Sequence, residues 1–452
     1  MNAIVPKAPS TPLPKRISTA LLTSLASGVV PRVGIDHLTT GRDRELATLQ
    51  QDLDNIAQGA AAFRLVIGRY GAGKSFLLQS VRSIAMEQGC VVADADITPE
   101  RRLTGNNGEA RATYRELLHH LATKSRPDGG ALPIILEKWI ASVQTQVATE
   151  NGTTPSDEGF DGLVEEKIRS SIQNLSDLVN GFEFANVVIA YWNGYRNDDD
   201  RKKESALRWL RGEFSTRTES KQAIGVRVII DDENWYDYLK LLAKFVTDIG
   251  YKGLIIILDE AIHLTKITTS VSRQNNYDKL LAMFNDTMQG RAAHLGILIG
   301  GTPQFLEDPR RGLYSDPAWQ RRTQENQLLT RSGVSDAIAP VIRLEALTEP
   351  HLLELMQRLS HIHQHHYGTQ RAMTPQEFQD VLNAMRSRIG AEALLTPGEL
   401  VRDLTGILNV LQQNPQLNLN QVLQQQESKK VHETKQSGNS VIVSEEFAEF
   451  TL

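Results

Sequence analysis

The chain is nearly free of cysteine: Cys90 is the single one in 452 residues. One thiol cannot close an internal disulfide or build a cysteine-based zinc site, and a chain of this kind is expected in the cytosol. An excess of basic charge is also missing. The sequence holds 49 Lys and Arg against 54 Asp and Glu, a formal net charge of −5. Net charge therefore does not draw the whole chain to nucleic acid, although a local basic face is still compatible with it. No apolar run approaches the roughly 20 residues needed to span a bilayer. The first residues, MNAIVPKAPSTPLPKR, lack the apolar stretch of a secretory signal. The expectation is a cytoplasmic protein with no membrane partner. Hydrophobic residues make up 40% and charged residues 23%, as in ordinary globular proteins, and the length suffices for two or three domains.

Against this plain background one stretch stands out, RLVIGRYGAGKSFLLQSV from Arg64. Gly68, Gly71, Gly73, Lys74 and Ser75 satisfy G-x-x-x-x-G-K-S/T in full. Glycines allow the tight backbone path that turns successive N–H groups toward phosphate oxygens. Arg69, Tyr70 and Ala72 complete the loop, and Phe76 follows it. Lys74 is placed to reach the β- and γ-phosphates, and Ser75 to ligate Mg2+. FRLVI reads as a buried parallel strand. The run from about Ser75 to Met86 reads as a helix whose positive N-terminal end faces the anion.

Such a site needs carboxylates, and YKGLIIILDEAIHL supplies two. Leu254 to Leu258 is a continuous apolar run, the mark of a central parallel strand. Asp259 and Glu260 follow at its C-terminal end, where ligands collect in open α/β sheets. Asp259 is assigned to Mg2+ and Glu260 to polarising the attacking water, with the metal one sheet position from the phosphate loop. The alternative is an acidic cap on the next helix.

Further motifs resemble those of AAA+ ATPases, particularly the branch of replication initiators and related signalling ATPases. Gly41, Arg42 and Glu45 form a G-R-x-x-E box about 25 residues before the phosphate loop, a segment that packs near the adenine in that family. Leu295 to Ile299 reads as another strand, followed by Gly300, Gly301 and Thr302. Thr302 is the candidate first sensor of the γ-phosphate; capping the next helix is the other reading. DPRRGLYSDPAWQRR carries Arg310, Arg311, Arg321 and Arg322, and the resemblance implies that Arg321 or Arg322 enters a neighbouring subunit's site. An exposed basic turn is the alternative. APVIRLEAL reads as a fifth strand. Helical runs over about 349–366, 374–388 and 397–413 match the size of an AAA+ lid, with Arg402 in the position of a second sensor.

In series, ASGVVPRVGIDHLTTGRDREL, GRYGAGKSFLL, YDYLKLLAKFVTDIGYKGLIIILDEA, GGTPQFLEDPRRGLYSD and TPGELVRDL are similar to the ATP-binding, BrxD-like proteins of bacterial BREX-type phage-defence loci. The resemblance covers about residues 27–120 and 225–415. It implies a cytoplasmic AAA+-like ATPase, with ATP and Mg2+ as cofactors, that works with other locus-encoded proteins. The family frequently has Y-x-x-L-R after GLYS. DPAWQRR departs from that pattern, which bears on the arginine finger.

The expected architecture is α/β: residues 31–347 form an AAA+ P-loop nucleotide domain around a parallel five-stranded sheet. A helical insertion over about 125–225 lies between strands of that sheet. An N-terminal arm (1–30), a three-helix lid (348–415) and a polar linker and tail (416–452) complete the chain. The tail is too short and polar for the DNA-binding winged helix of initiator relatives. His361 and His365 have helical ligand spacing but no H-E-x-x-H motif, and read as a solvated helix end. The leading functional expectation is a Mg2+-ATPase that oligomerises and switches a defence complex, with DNA reached through that complex. A nucleotide-gated scaffold and a DNA loader or translocase are the alternatives.

Overall fold

The computed structural model describes residues 13–173, 181–324, 339–369, 371–389 and 395–424. The expected tail beyond 424 and the first twelve residues of the expected arm lie outside the described residues. The described residues divide into two compact units, one from residue 42 to 345, the other joining residues 13–41 with those from 346 to 424.

The first unit is built on five described strands, β1 (Ala61–Ile67), β2 (Val91–Asp96), β3 (Leu254–Asp259), β4 (Leu295–Gly301) and β5 (Val341–Arg343). They pair in the order β2-β3-β4-β1-β5, parallel throughout. The phosphate-loop strand β1 and the acidic strand β3 are therefore not neighbours, as the sequence reading has them. Strand β4 lies between, because its seven residues, LGILIGG, are all buried and take the middle of the sheet. Gly296 lets it do so: a Cβ there would stand 2.9 Å from side-chain carbons of both Ile255 and Ile56. Strand β2 is counted but not located by the sequence reading.

Side-chain alternation divides the sheet into two faces. Val66, Val92, Ile255, Ile257 and Leu298 pack under helices Asp43–Ala57 and Lys74–Glu87, against Leu49, Leu53, Leu77 and Val81. Phe63, Leu65, Ala93, Leu258 and Ile297 turn to the other face. There their core is continuous with the helices that run between β2 and β3, from Glu109–His119 to Trp235–Asp248. Each fully buried Leu or Ile contributes about 1.5–3 kcal/mol, so both layers are held chiefly by apolar burial. The helices after residue 125 form one side of the nucleotide unit's own core.

The second unit is helical. Helix Lys15–Ala26 buries Leu21, Leu22 and Leu25, and Ser18 Oγ lies 2.8 Å from His366 Nδ1 on helix Glu349–Tyr367. Thr40 donates to Glu354 at 2.6 Å, and Arg358 donates to the Thr39 carbonyl at 2.8 Å. These bonds explain why residues 13–41, divided in the sequence reading between an arm and the nucleotide domain, belong with the C-terminal helices. Helix Pro397–Gln413 starts in a capping box of Thr396 and Glu399.

Candidate functional site

Strand β1 ends at Ile67, and Gly68 N–H still donates to Gly301 of β4 at 3.1 Å. The chain then turns through Gly71 and Gly73, whose φ values of +73° and +91° suit glycine, into helix Lys74–Glu87. At Gly68 the need is space, since a Cβ would lie 3.1 Å from that of Leu344. Lys74 is buried and its Nζ donates to the Arg69 carbonyl at 3.0 Å, 5.3 Å from the centre of the exposed Tyr70 ring. Burial lowers the Lys74 pKa, while Asp259 and Glu260 pull it upward.

The acidic strand meets this loop directly. Ser75 Oγ donates to Asp259 Oδ2 at 2.6 Å, although β4 separates the parent strands. Gly300 of β4 makes the span feasible: a Cβ there would fall 2.1 Å from Asp259 Oδ1. The same Oδ1 accepts the Glu260 N–H at 2.8 Å. Glu260 adopts a left-handed backbone, φ +56° and ψ 34°, unusual for a residue with a Cβ. Burial raises its carboxyl pKa, Asp259 adds to the rise, and Lys74 and His263 oppose it. Asp96 pairs in register with Asp259, and its pKa is raised by desolvation first and by Asp259 second.

A hydroxyl and one carboxylate, both hard oxygen donors, suit a magnesium ion that takes its other ligands from water and phosphate. Among the described residues no three His, Cys, Asp or Glu side chains form a metal-binding group. Lys74, the loop amides and the helix N-terminus suit a polyphosphate. Glu260 is a half-buried proton acceptor beside them.

Arg42 is buried, pairs with Glu45 at 3.2 Å and donates to the Ala72 carbonyl within the phosphate loop at 2.9 Å. Gly41 belongs to the other unit, with φ +62° and no room for a Cβ beside the His351 ring. Thr302 is buried and caps helix Pro303–Glu307 through the Phe305 N–H at 3.3 Å. Arg321 and Arg322 are exposed on helix Pro317–Thr323, where Trp319 faces the core. Arg402, in the second unit, pairs with Asp403 at 3.3 Å. Arg69 and Tyr70 are exposed and Phe76 is half-buried. His361 and His365 are exposed in the last turns of their helix.

Sequence reasoning named Gly300 but missed the room it gives Asp259, and it missed two buried ion pairs. Arg64 of β1 grips Asp52 through two bonds of 2.6 and 2.7 Å. Arg82 of the phosphate-loop helix reaches Asp94 of β2 at 2.9 Å. A charged residue within an otherwise apolar strand is the signal that could have found both.

A parallel sheet of this order, with a glycine-framed loop opening into a helix, is consistent with the P-loop class of nucleotide-binding α/β proteins. The chain belongs to the family of BREX system ATP-binding proteins BrxC/D, whose family model matches residues 13–427. Membership supports ATP as the nucleotide and phage defence as the setting. No curated protein matches the sequence significantly. Among the described residues no helix is long and apolar enough to cross a membrane.

Proposed function

We propose that the protein is a Mg2+-dependent ATPase of AAA+ type, cytoplasmic and oligomeric, that couples ATP binding and hydrolysis to switching of a BREX-type defence assembly. The observation that carries this reading is the 2.6 Å bond from Ser75 to Asp259, which joins the phosphate loop to the acidic strand. Lys74 and the loop amides would hold the β- and γ-phosphates. Ser75 and Asp259 would hold Mg2+, which when bound supplies positive charge to the phosphate oxygens. Glu260 would accept a proton from the attacking water, and its raised pKa keeps it a better base than an ordinary carboxylate. Residues 348–415 would act as the lid, with Arg402 as second sensor and Thr302 as first sensor. Arg321 or Arg322, both on the surface, would serve a neighbouring subunit. Other locus-encoded proteins are the partners, and DNA is met through them.

The test is ATP turnover by the wild type and by Glu260→Gln, alone and with partner proteins and DNA. The expected loss is about 100-fold or more with ATP binding retained; equal rates would refute hydrolysis at this site. A second reading, a nucleotide-gated scaffold, is favoured by Phe182 and Tyr195, exposed on helix Gly181–Arg196 of the layer between β2 and β3. Under it Lys74→Ala abolishes phage protection and Glu260→Gln does not.

A further inference from the structure

The G-R-x-x-E box is read above as a nucleotide-side element. The geometry points to a different role: we propose that Arg42 is a positioning residue that sets the phosphate loop's anion-facing amide by holding the opposite end of the same peptide group. The inference rests on the phosphate-loop reading and concerns how that loop acquires its shape.

Arg42 retains 6% of its surface, so its guanidinium offers little area to a ligand. Its charge is used inward. Nη1 meets Glu45 Oε1 at 3.2 Å, and Nη2 donates to the Ala72 carbonyl at 2.9 Å. Glu45 stands one turn into the helix Asp43–Ala57 that Arg42 precedes, so the arginine is braced from its own element.

Ala72 lies between the two left-handed glycines, Gly71 at φ +73° and Gly73 at φ +91°. The Ala72–Gly73 peptide plane turns on ψ of Ala72 and φ of Gly73, and on the Gly73 side no Cβ resists that rotation. The peptide bond is trans, so the Ala72 carbonyl and the Gly73 N–H point in opposite directions. Fixing the carbonyl on Arg42 turns the Gly73 N–H away from the guanidinium, the side that the phosphate-loop reading gives to the anion. Rotating that plane by half a turn would present an oxygen to the phosphates in place of a donor. A charge-assisted bond to a buried arginine is a strong restraint against it.

The probe that separates this role from contact with the nucleoside is Mg-pyrophosphate, which has phosphates and no base or sugar. Calorimetric affinities for ATP, ADP and pyrophosphate are measured for the wild type, Arg42→Gln and Arg42→Lys. In Arg42→Gln all three are expected to weaken together, by about 10–100-fold, with the ATP-to-pyrophosphate ratio unchanged. Arg42→Lys keeps the buried charge and reaches one acceptor, so it gives a smaller loss with the same ratio. It also carries the test if the glutamine variant does not fold. The inference is overturned if ATP weakens while pyrophosphate does not. It is equally overturned if the variants lose binding stoichiometry but keep wild-type dissociation constants, since that is a general loss of folded protein. A wild type that binds none of the three ligands refutes the nucleotide reading itself.

Discussion

The two faces of the sheet are secured by different physics. Under helices Asp43–Ala57 and Lys74–Glu87, buried ion pairs cross from helix to strand: Asp52 with Arg64, and Arg82 with Asp94, whose side chains are 1% and 10% exposed. On the other face the contacts are aromatic. Trp139 meets Phe245 edge-on at 4.9 Å, Phe184 meets Phe245 at 5.3 Å, and Trp209 meets Tyr238 at 5.3 Å. Ion pairs there join helix to helix and not helix to strand, as Lys167 with Glu150 toward solvent and the less exposed Lys240 with Asp286. Apolar packing holds a layer in place but tolerates small slides, whereas a bidentate guanidinium fixes both position and rotation. The face with the polar staples is the one that carries the phosphate-loop helix.

The strongest way to break this contrast is Arg82→Leu. It leaves Asp94 without its guanidinium and should destabilise the first unit by about 3–5 kcal/mol, read by denaturant unfolding. The double variant Arg82→Leu/Asp94→Leu should regain much of that stability while nucleotide affinity stays weakened. Full recovery of both would show the pair to be mere filler. Trp139→Ala should cost about 3 kcal/mol through the cavity it leaves. Calorimetry on the folded fraction should show an unchanged ATP dissociation constant; a large shift would mean that the aromatic layer also tunes the loop. The smallest effect is expected at Glu260→Gly. Relieving the left-handed backbone should raise stability by about 0.5–1 kcal/mol, net of the added chain entropy. It removes the carboxylate as well, so thermal melting and turnover should move in opposite directions.

Much of the candidate site was legible as a pattern because its signals are local. The glycine spacing before Lys74 and the apolar run before Asp259 each lie within a few residues. The helix start at Thr396 was readable for the same reason, a cap and a proline in sequence. What was not legible is long-range. Nothing in the phosphate loop indicates that β4 separates it from Asp259, or that Gly300 is the residue giving that carboxylate room. The bond from Arg42 to Ala72 joins residues thirty apart, and box and loop are each complete motifs without it. The helical layer was recognised as helical from its periodicity. Its share in the sheet's own core depends on which strand face it covers, and alternation within a strand does not name its partner.

The strand order has a consequence for how the protein is made. β1 and β2 emerge first, yet neither pairs with the other; apart from the single bridge from Val92 to Ala122, the first strand partner for β2 is β3, after residues 97–253 have been synthesised. At about 5–20 residues per second that is a wait of roughly 8–30 s. The sheet therefore cannot start forming on the ribosome until the intervening helices exist, and those helices are what can shelter the waiting edge of β2 during translation.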